Sequence, residues 1–173
     1  MSKLAFIFPG QGAQKAGMGK DFYENSEAAR SFFDNAQEIL DFDLKEMCFG
    51  EHEELNLTEY TQPCMVSVCL AIVQELKKRG INPDITAGLS LGEYAAVAAA
   101  GGMNELDAIK LVRRRGILMQ STVPAGEGAM AAVLGLDAKK IEEILESFEN
   151  VWIANYNCPG QIVITGLTNE VQQ

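Results

Sequence analysis

The sequence predicts an α/β protein in two parts, and three observations carry that prediction. An apolar run at residues 4–8 is stopped by Pro9-Gly10, as in a strand buried on both faces of a parallel sheet. Gly88-Leu89-Ser90-Leu91-Gly92 fits the G-x-S-x-G pattern of a serine on a tight strand-to-helix turn. After Pro124, Gly126 and Gly128 the pattern changes to strand, helix, strand, strand and the start of a helix. Residues 1–125 therefore read as a large subdomain with a parallel sheet and a nucleophile elbow, α/β-hydrolase-like in that respect. Residues 126–173 read as an incomplete ferredoxin-like small subdomain.

Each element follows from local chemistry. The first strand runs into a glycine-rich loop over 10–19. Ala29, Phe32, Phe33, Ala36, Ile39 and Leu40 recur at three- and four-residue spacing behind a candidate cap, Ser26, which predicts an amphipathic helix. Residues 41–60 are acidic and read as irregular. Pro63 suits the first turn of a helix running to Arg79, with Lys77, Lys78 and Arg79 complementing its carbonyl end and Gly80 stopping it. Met65, Val66, Val68, Cys69, Ala71, Ile72, Val73 and Leu76 leave that helix little polar face, so burial against the sheet is expected. The elbow strand at 85–87, its helix at 91–100 and a helix at 105–121 follow. In the second part strands are expected at 129–136, 151–156 and 161–166. A helix at 138–148, a turn at Asn157-Cys158-Pro159-Gly160 and a last helix capped by Thr168 or Asn169 complete it. The last helix has barely begun at Gln173, so the chain is expected to end inside a domain.

Composition narrows the function. A chain of 173 residues buries the core of one ordinary domain, or of one domain and part of another. A formal net charge of -10 argues against nucleic acid or an anionic membrane as partner, because both reward excess Lys and Arg. A small molecule or another protein is expected instead. The apolar stretches at 1–8 and 95–100 are too short for a signal core or a membrane span, and a cytoplasmic location is expected. Cys48, Cys64, Cys69 and Cys158 form no CxxC pair, and His52 is the single histidine. Reduced core thiols are expected, with no metal site and no cofactor.

Ser90 is the candidate nucleophile, and a glycine-bracketed tight turn without chemistry is its alternative. A serine hydroxyl needs a base to take its proton. His52 lies in the acidic segment Gly50-Glu51-His52-Glu53-Glu54 and reads as a surface residue, so this chain shows no general base. The loop Phe8-Pro9-Gly10-Gln11-Gly12 is not a dinucleotide fingerprint, since Lys15 stands where the third glycine belongs. It can supply one oxyanion donor, with the backbone N–H of Leu91 as the other, or it is merely a turn. Among Arg113, Arg114 and Arg115 only Arg115 projects between apolar residues, Leu111 and Met119, while Lys110 and Arg114 share a polar sector. A half-buried guanidinium there is either a structural ion pair or a clamp for a substrate carboxylate.

Six motifs stand in order along residues 4–166. They are Phe8-Pro9-Gly10-Gln11-Gly12-Ala13-Gln14, Thr61-Gln62-Pro63, Gly88-Leu89-Ser90-Leu91-Gly92-Glu93-Tyr94, Arg115-Gly116 with Met119-Gln120, Gly128-Ala129-Met130-Ala131-Ala132-Val133, and Asn157-Cys158-Pro159-Gly160-Gln161. Together they closely resemble the malonyl-CoA:acyl carrier protein transacylase family of fatty acid biosynthesis. The resemblance implies a ping-pong transfer in which Ser90 takes malonyl from malonyl-CoA and passes it to the phosphopantetheine thiol of acyl carrier protein. It further implies an oxyanion hole from the N–H groups of Gln11 and Leu91, a carboxylate clamp at Arg115 and a pocket lined by Gln62.

Two departures from the family stand out. Leu89 occupies the position before the serine where many relatives carry histidine, which changes pocket polarity but removes neither nucleophile nor donors. The family's catalytic histidine matches none of the 173 residues, so the chain is expected to be truncated before it. A fragment, a split enzyme completed by a second chain and a non-catalytic interaction module are the resulting expectations. A serine esterase or thioesterase of α/β-hydrolase type shares the elbow but delivers water, and Arg115 and the Gln11 loop weigh against it. An acidic chain needs a local basic patch to dock an acidic carrier protein, and Lys110, Arg113 and Arg114 are candidates.

Overall fold

The computed structural model describes residues 3–123 and 126–173. Pro124 of the expected linker and the first two residues of the expected N-terminal run lie outside the described residues. The chain divides into two units, Met1–Gln120 and Ser121–Gln173.

The first unit contains strands β1 (Ala5–Phe8) and β2 (Ile85–Gly88). Its helices are α1 (Lys20–Asn25), α2 (Glu27–Gln37), α3 (Leu44–Phe49), α4 (Thr58–Lys78), α5 (Leu91–Ala99) and all but the last two residues of α6, which runs Glu105–Thr122. The two strands pair in parallel, Ala5 opposite Ile85 and Phe8 opposite Gly88. Both therefore end together, so the Gln11 loop and the elbow leave the same edge of the sheet, where ligands of parallel sheets bind. The expectation of a first strand covered on both faces is corrected: Ile7 is 78% exposed and Ile85 60%, because this two-stranded sheet is packed on one side only.

Helix α4 is the centre of the unit, and α2 and α5 pack on it most extensively. The all-round apolar pattern is thus satisfied mainly by helices rather than by the sheet. Ser26 caps α2 as its sequence predicts, accepting from the Ala29 N–H at 3.1 Å. Its hydroxyl also donates to Glu75 of α4. The Ser26 hydroxyl, aided by Arg79, holds the Glu75 carboxyl below the usual glutamate range. The acidic 41–60 segment is not irregular. Asp43 caps α3 by accepting from the Glu46 N–H at 2.9 Å, and a 3-10 turn spans Glu53–Asn56.

Helix α4 begins five residues before Pro63, which lies inside it. Proline has no N–H for the carbonyl four residues back, here Glu59. Arg113 Nη1 donates to that carbonyl at 2.8 Å, so the freed acceptor is satisfied by a side chain of α6 and the helix continues. At the same junction a Cβ on Gly116 would lie 2.8 Å from both Glu59 Cα and the Thr58 carbonyl oxygen. Only glycine allows the two helices this close.

The second unit contains β3 (Gly128–Leu134), α7 (Ala138–Leu145), β4 (Val151–Cys158), β5 (Gln161–Leu167) and α8 (Thr168–Val171). Its sheet is antiparallel in the order β3-β5-β4. Strand β4 continues through the expected turn at Asn157 and Cys158, with register irregularities between Ile153 and Asn155 and between Tyr156 and Cys158, and the chain reverses at Pro159-Gly160. Leu167, not Thr168 or Asn169, stands at the cap position of α8. Cys48 and Cys64 are buried and Cys69 half-buried, whereas Cys158 is exposed. The core-thiol expectation fails for Cys158, which lies near the end of β4. Burial pushes the Cys69 thiol up to about 11.

Replacing Gly116 with alanine is expected to lower unfolding free energy by about 1–3 kcal/mol through overpacking, read from urea midpoints. Because the folded Glu75 pKa is depressed, its contribution is fully present above the unfolded value of about 4.3 and is lost as pH falls through the lower folded value. Glu75→Gln is therefore expected to reduce stability at neutral pH and to flatten the acid limb of a stability-against-pH curve.

Candidate active site

The site begins at the two-residue turn between β2 and α5. Ser90 is the only non-glycine residue with positive φ among the described residues, at φ 50° and ψ -98°. Such a conformation costs about 1–3 kcal/mol and persists only where neighbours enforce it. The enforcement is visible. Gly92 N–H donates to the Leu89 carbonyl at 2.9 Å and Leu89 N–H to the Phe8 carbonyl at 3.2 Å. A Cβ at Gly88 would enter the backbone of Gly92 and Glu93, and one at Gly92 would enter Phe8 and Pro9. Both motif glycines are required because α5 starts against the end of β1.

Leu91 is buried and opens α5, so its N–H is one of the donors that a helix start leaves without an intrahelical acceptor. Among the described residues no backbone acceptor is bonded to it. Gln11 lies in the loop after β1. Its side chain donates to Thr58 Oγ1 at 3.0 Å and accepts from Gln62 Nε2 at 3.5 Å. Gln14 braces the same loop by accepting from the Gly12 N–H at 2.8 Å. Gln62 is fully buried. Its Nε2 also reaches Met119 Sδ at 3.3 Å, while its Oε1 has no hydrogen-bond partner among the described residues.

Arg115 is half-buried, and its Nη2 donates to Ser90 Oγ at 3.3 Å. Its guanidinium carbon lies 5.6 Å from the Tyr94 ring centre, within cation–π range. Leu111 and Met119, the apolar flank expected from the helical projection, are 44% and 46% exposed. Among the described residues no carboxylate pairs with Arg115, so the structural ion-pair alternative finds no partner.

The opposite holds for Arg113, which the sequence offers as a docking candidate. Its side chain is 13% exposed and it pairs with Asp41 and Glu59; its hydrogen bonds to those carboxylates raise its pKa despite the opposing effect of burial. It is thus withdrawn from any surface patch. Lys110 lies 3.7 Å from Asp107, and Arg114 is exposed.

His52 Nε2 lies 3.0 Å from Glu46 Oε1, which agrees with its reading as a residue outside the site. The sequence reading missed Thr58, which bridges the Gln11 loop and accepts from it, and Tyr94 beneath Arg115. A threonine five residues ahead of Pro63 was the available signal for the first, had the helix been started there. An apolar groove of about 410 Å³ lies between β1 and α4, lined by Phe6, Phe8, Met65, Val68 and Ile72 among others. None of Ser90, Gln11, Gln62 or Arg115 borders it.

Residues 5–173 match the acyl transferase domain family. The malonyl CoA-acyl carrier protein transacylase of Bacillus subtilis is 49% identical over 177 residues, covering 99% of this chain and 56% of that relative. The crystal structure of the malonyl CoA-acyl carrier protein transacylase from Clostridium perfringens is similar with a TM-score of 0.89 and 44% identity, over 99% of this chain and 55% of that one. A malonyl-transacylase solved in complex with its type II PKS acyl-carrier protein is similar with a TM-score of 0.89 and 39% identity, over 99% of this chain and 57% of the other. The chain spans about half the length of the relatives it matches. With an elbow serine, an arginine set on it and matching sequence over nearly all its residues, the chain belongs to the acyl transferase domain family and resembles its malonyl CoA-acyl carrier protein transacylases.

Proposed function

We propose that the protein transfers malonyl from malonyl-CoA to the phosphopantetheine thiol of an acyl carrier protein, through a malonyl ester on Ser90, in cytoplasmic fatty acid synthesis. The observation that carries this reading is Arg115, which touches the nucleophile at 3.3 Å and has no carboxylate of its own among the described residues. A malonyl group brings that carboxylate. Paired hydrogen bonds from the guanidinium would then fix the thioester carbonyl near Ser90 Oγ.

In the first half-reaction Ser90 Oγ attacks the thioester carbonyl, and its proton passes to a base. Negative charge gathers on the carbonyl oxygen, where the N–H groups of Leu91 and Gln11 form the oxyanion hole. The C–S bond then breaks and CoA leaves as its thiol. In the second half-reaction the carrier thiol attacks the Ser90 ester, the C–O bond breaks and the serine hydroxyl is restored. Gln62 supports this site from below by holding the Gln11 side chain. His52 is paired with Glu46 and, among the described residues, makes no hydrogen bond to Ser90, so it is not read as that base. The family resemblance assigns it to a histidine that this sequence does not match.

The strand order β3-β5-β4 supports reading residues 126–173 as the start of a ferredoxin-like subdomain beside a large subdomain at 1–125. Among the described residues no helix is long and apolar enough to cross a membrane. Hydrolysis by a thioesterase is the second reading. It shares Ser90 but gives the unpaired Arg115 no task.

Brief exposure of the full-length protein to malonyl-CoA is expected to add one malonyl group by intact mass, with no addition in Ser90→Ala. Steady CoA release without carrier protein would instead indicate hydrolysis. Arg115→Ala is expected to lower malonyl transfer about ten- to a hundredfold, the worth of a charge-assisted hydrogen bond, and acetyl transfer much less. Equal losses for the two acyl groups would refute the clamp.

A further inference from the structure

The geometry points to Arg113 as a positioning residue of the site: seated on the carbonyl that Pro63 leaves free, it fixes α6 against α4 so that Arg115 reaches Ser90. In its functional consequence this rests on the proposed clamp at Arg115.

Four bonds hold the guanidinium. Nη1 donates to the Glu59 carbonyl at 2.8 Å and to Glu59 Oε2 at 3.2 Å. Nε and Nη2 form a fork on Asp41 Oδ1 at 2.9 Å and Oδ2 at 3.0 Å. The plane also lies near two aromatic rings, Phe42 at 5.2 Å and Tyr60 at 5.0 Å from their centres. Only a planar fork with several donors satisfies a backbone carbonyl and two carboxylates at once.

What this anchor controls follows from helix geometry. Arg113, Gly116 and Gln120, spaced i, i+3 and i+7, all meet the first turn of α4. Gly116 packs on the Thr58 and Glu59 backbone, and Gln120 Oε1 accepts from the Thr58 N–H at 3.1 Å. Arg115 and Met119, four residues apart on the neighbouring face, meet Ser90 and Gln62. The first turns of α4 in turn carry Thr58 and Gln62, the two residues that hold the Gln11 side chain. Nucleophile clamp and oxyanion loop are therefore joined through one helix–helix junction, and Arg113 is its charged anchor. A slip of α6 by one residue would shift Arg115 by about 1.5 Å along the axis, enough to break a contact at 3.3 Å.

The test compares Arg113→Lys and Asp41→Asn with the wild-type full-length protein, reading Ser90 loading from malonyl-CoA and from acetyl-CoA. Lysine keeps the charge but loses the fork. Arg113→Lys is expected to lower kcat for malonyl loading about tenfold or more and to leave acetyl loading within about threefold, shrinking the malonyl preference. Asp41→Asn is expected to act in the same direction more weakly. In an Arg115→Ala background the added Arg113→Lys change is expected to alter malonyl loading by less than about twofold, since the two act as one unit. Equal losses for both acyl groups, or full additivity, would overturn the inference in favour of a purely structural role.

A crystal structure of Arg113→Lys supplies an arm that needs no turnover. Loss of the contact between Arg115 and Ser90 supports the inference, and its retention unchanged overturns it. If the wild-type protein loads no malonyl on Ser90, the proposed function fails while the crystallographic arm still decides the placement. Asp41 is 67% exposed, so Asp41→Asn carries both arms if Arg113→Lys does not fold.

Discussion

The site depends on one steric constraint, the close approach of the start of α5 to the end of β1. Two glycines make it possible. Gly92 lies so near the Phe8 and Pro9 backbone, and Gly88 so near Gly92 and Glu93, that neither position admits a Cβ. This contact forces the turn to be tight, and the tight turn forces Ser90 to positive φ. The strain is not a defect of the fold. It presents the serine hydroxyl at the edge of the sheet, beside the N–H of Leu91, which bonds no backbone acceptor among the described residues, and within reach of Arg115.

Around that constraint the protein uses two arginines in opposite ways. Arg113 is saturated with carboxylate, carbonyl and ring contacts, which anchor α6 on α4. Arg115, two residues on, meets a serine hydroxyl and a tyrosine ring. Among the described residues Arg115 pairs with no carboxylate, and the proposed function gives it one from the substrate. The same helix thus carries one cation bonded to two carboxylates and, in the proposed function, one that meets the carboxylate of a ligand.

Most of the element order was legible because its signals are local. The Ser26 cap, the spacing of Ala29, Phe32, Phe33 and Ala36, and the strand–turn–helix chemistry around Ser90 are settled by a few neighbouring residues. Where the reading failed, the missing information lay far along the chain. Pro63 marks a helix start in isolation, yet α4 starts five residues earlier because a side chain fifty residues away takes over the hydrogen bond that proline lacks. The acidic 41–60 segment concealed a capped helix, and Arg113 looked like a surface charge until Asp41 and Glu59 were brought to it.

The sequence by itself determined the α/β character, the identity of the candidate nucleophile and the family resemblance, since glycine spacing, hydrophobic period and ordered motifs do not depend on which elements touch. Only the tertiary structure decided that Arg115 meets Ser90, that Gln62 and Thr58 share the Gln11 side chain, and that α6 is anchored on α4. Those pairings join residues that are 25 to 62 positions apart. Helix periodicity fixes the direction of a side chain from its own axis, but not the partner that packing places before it.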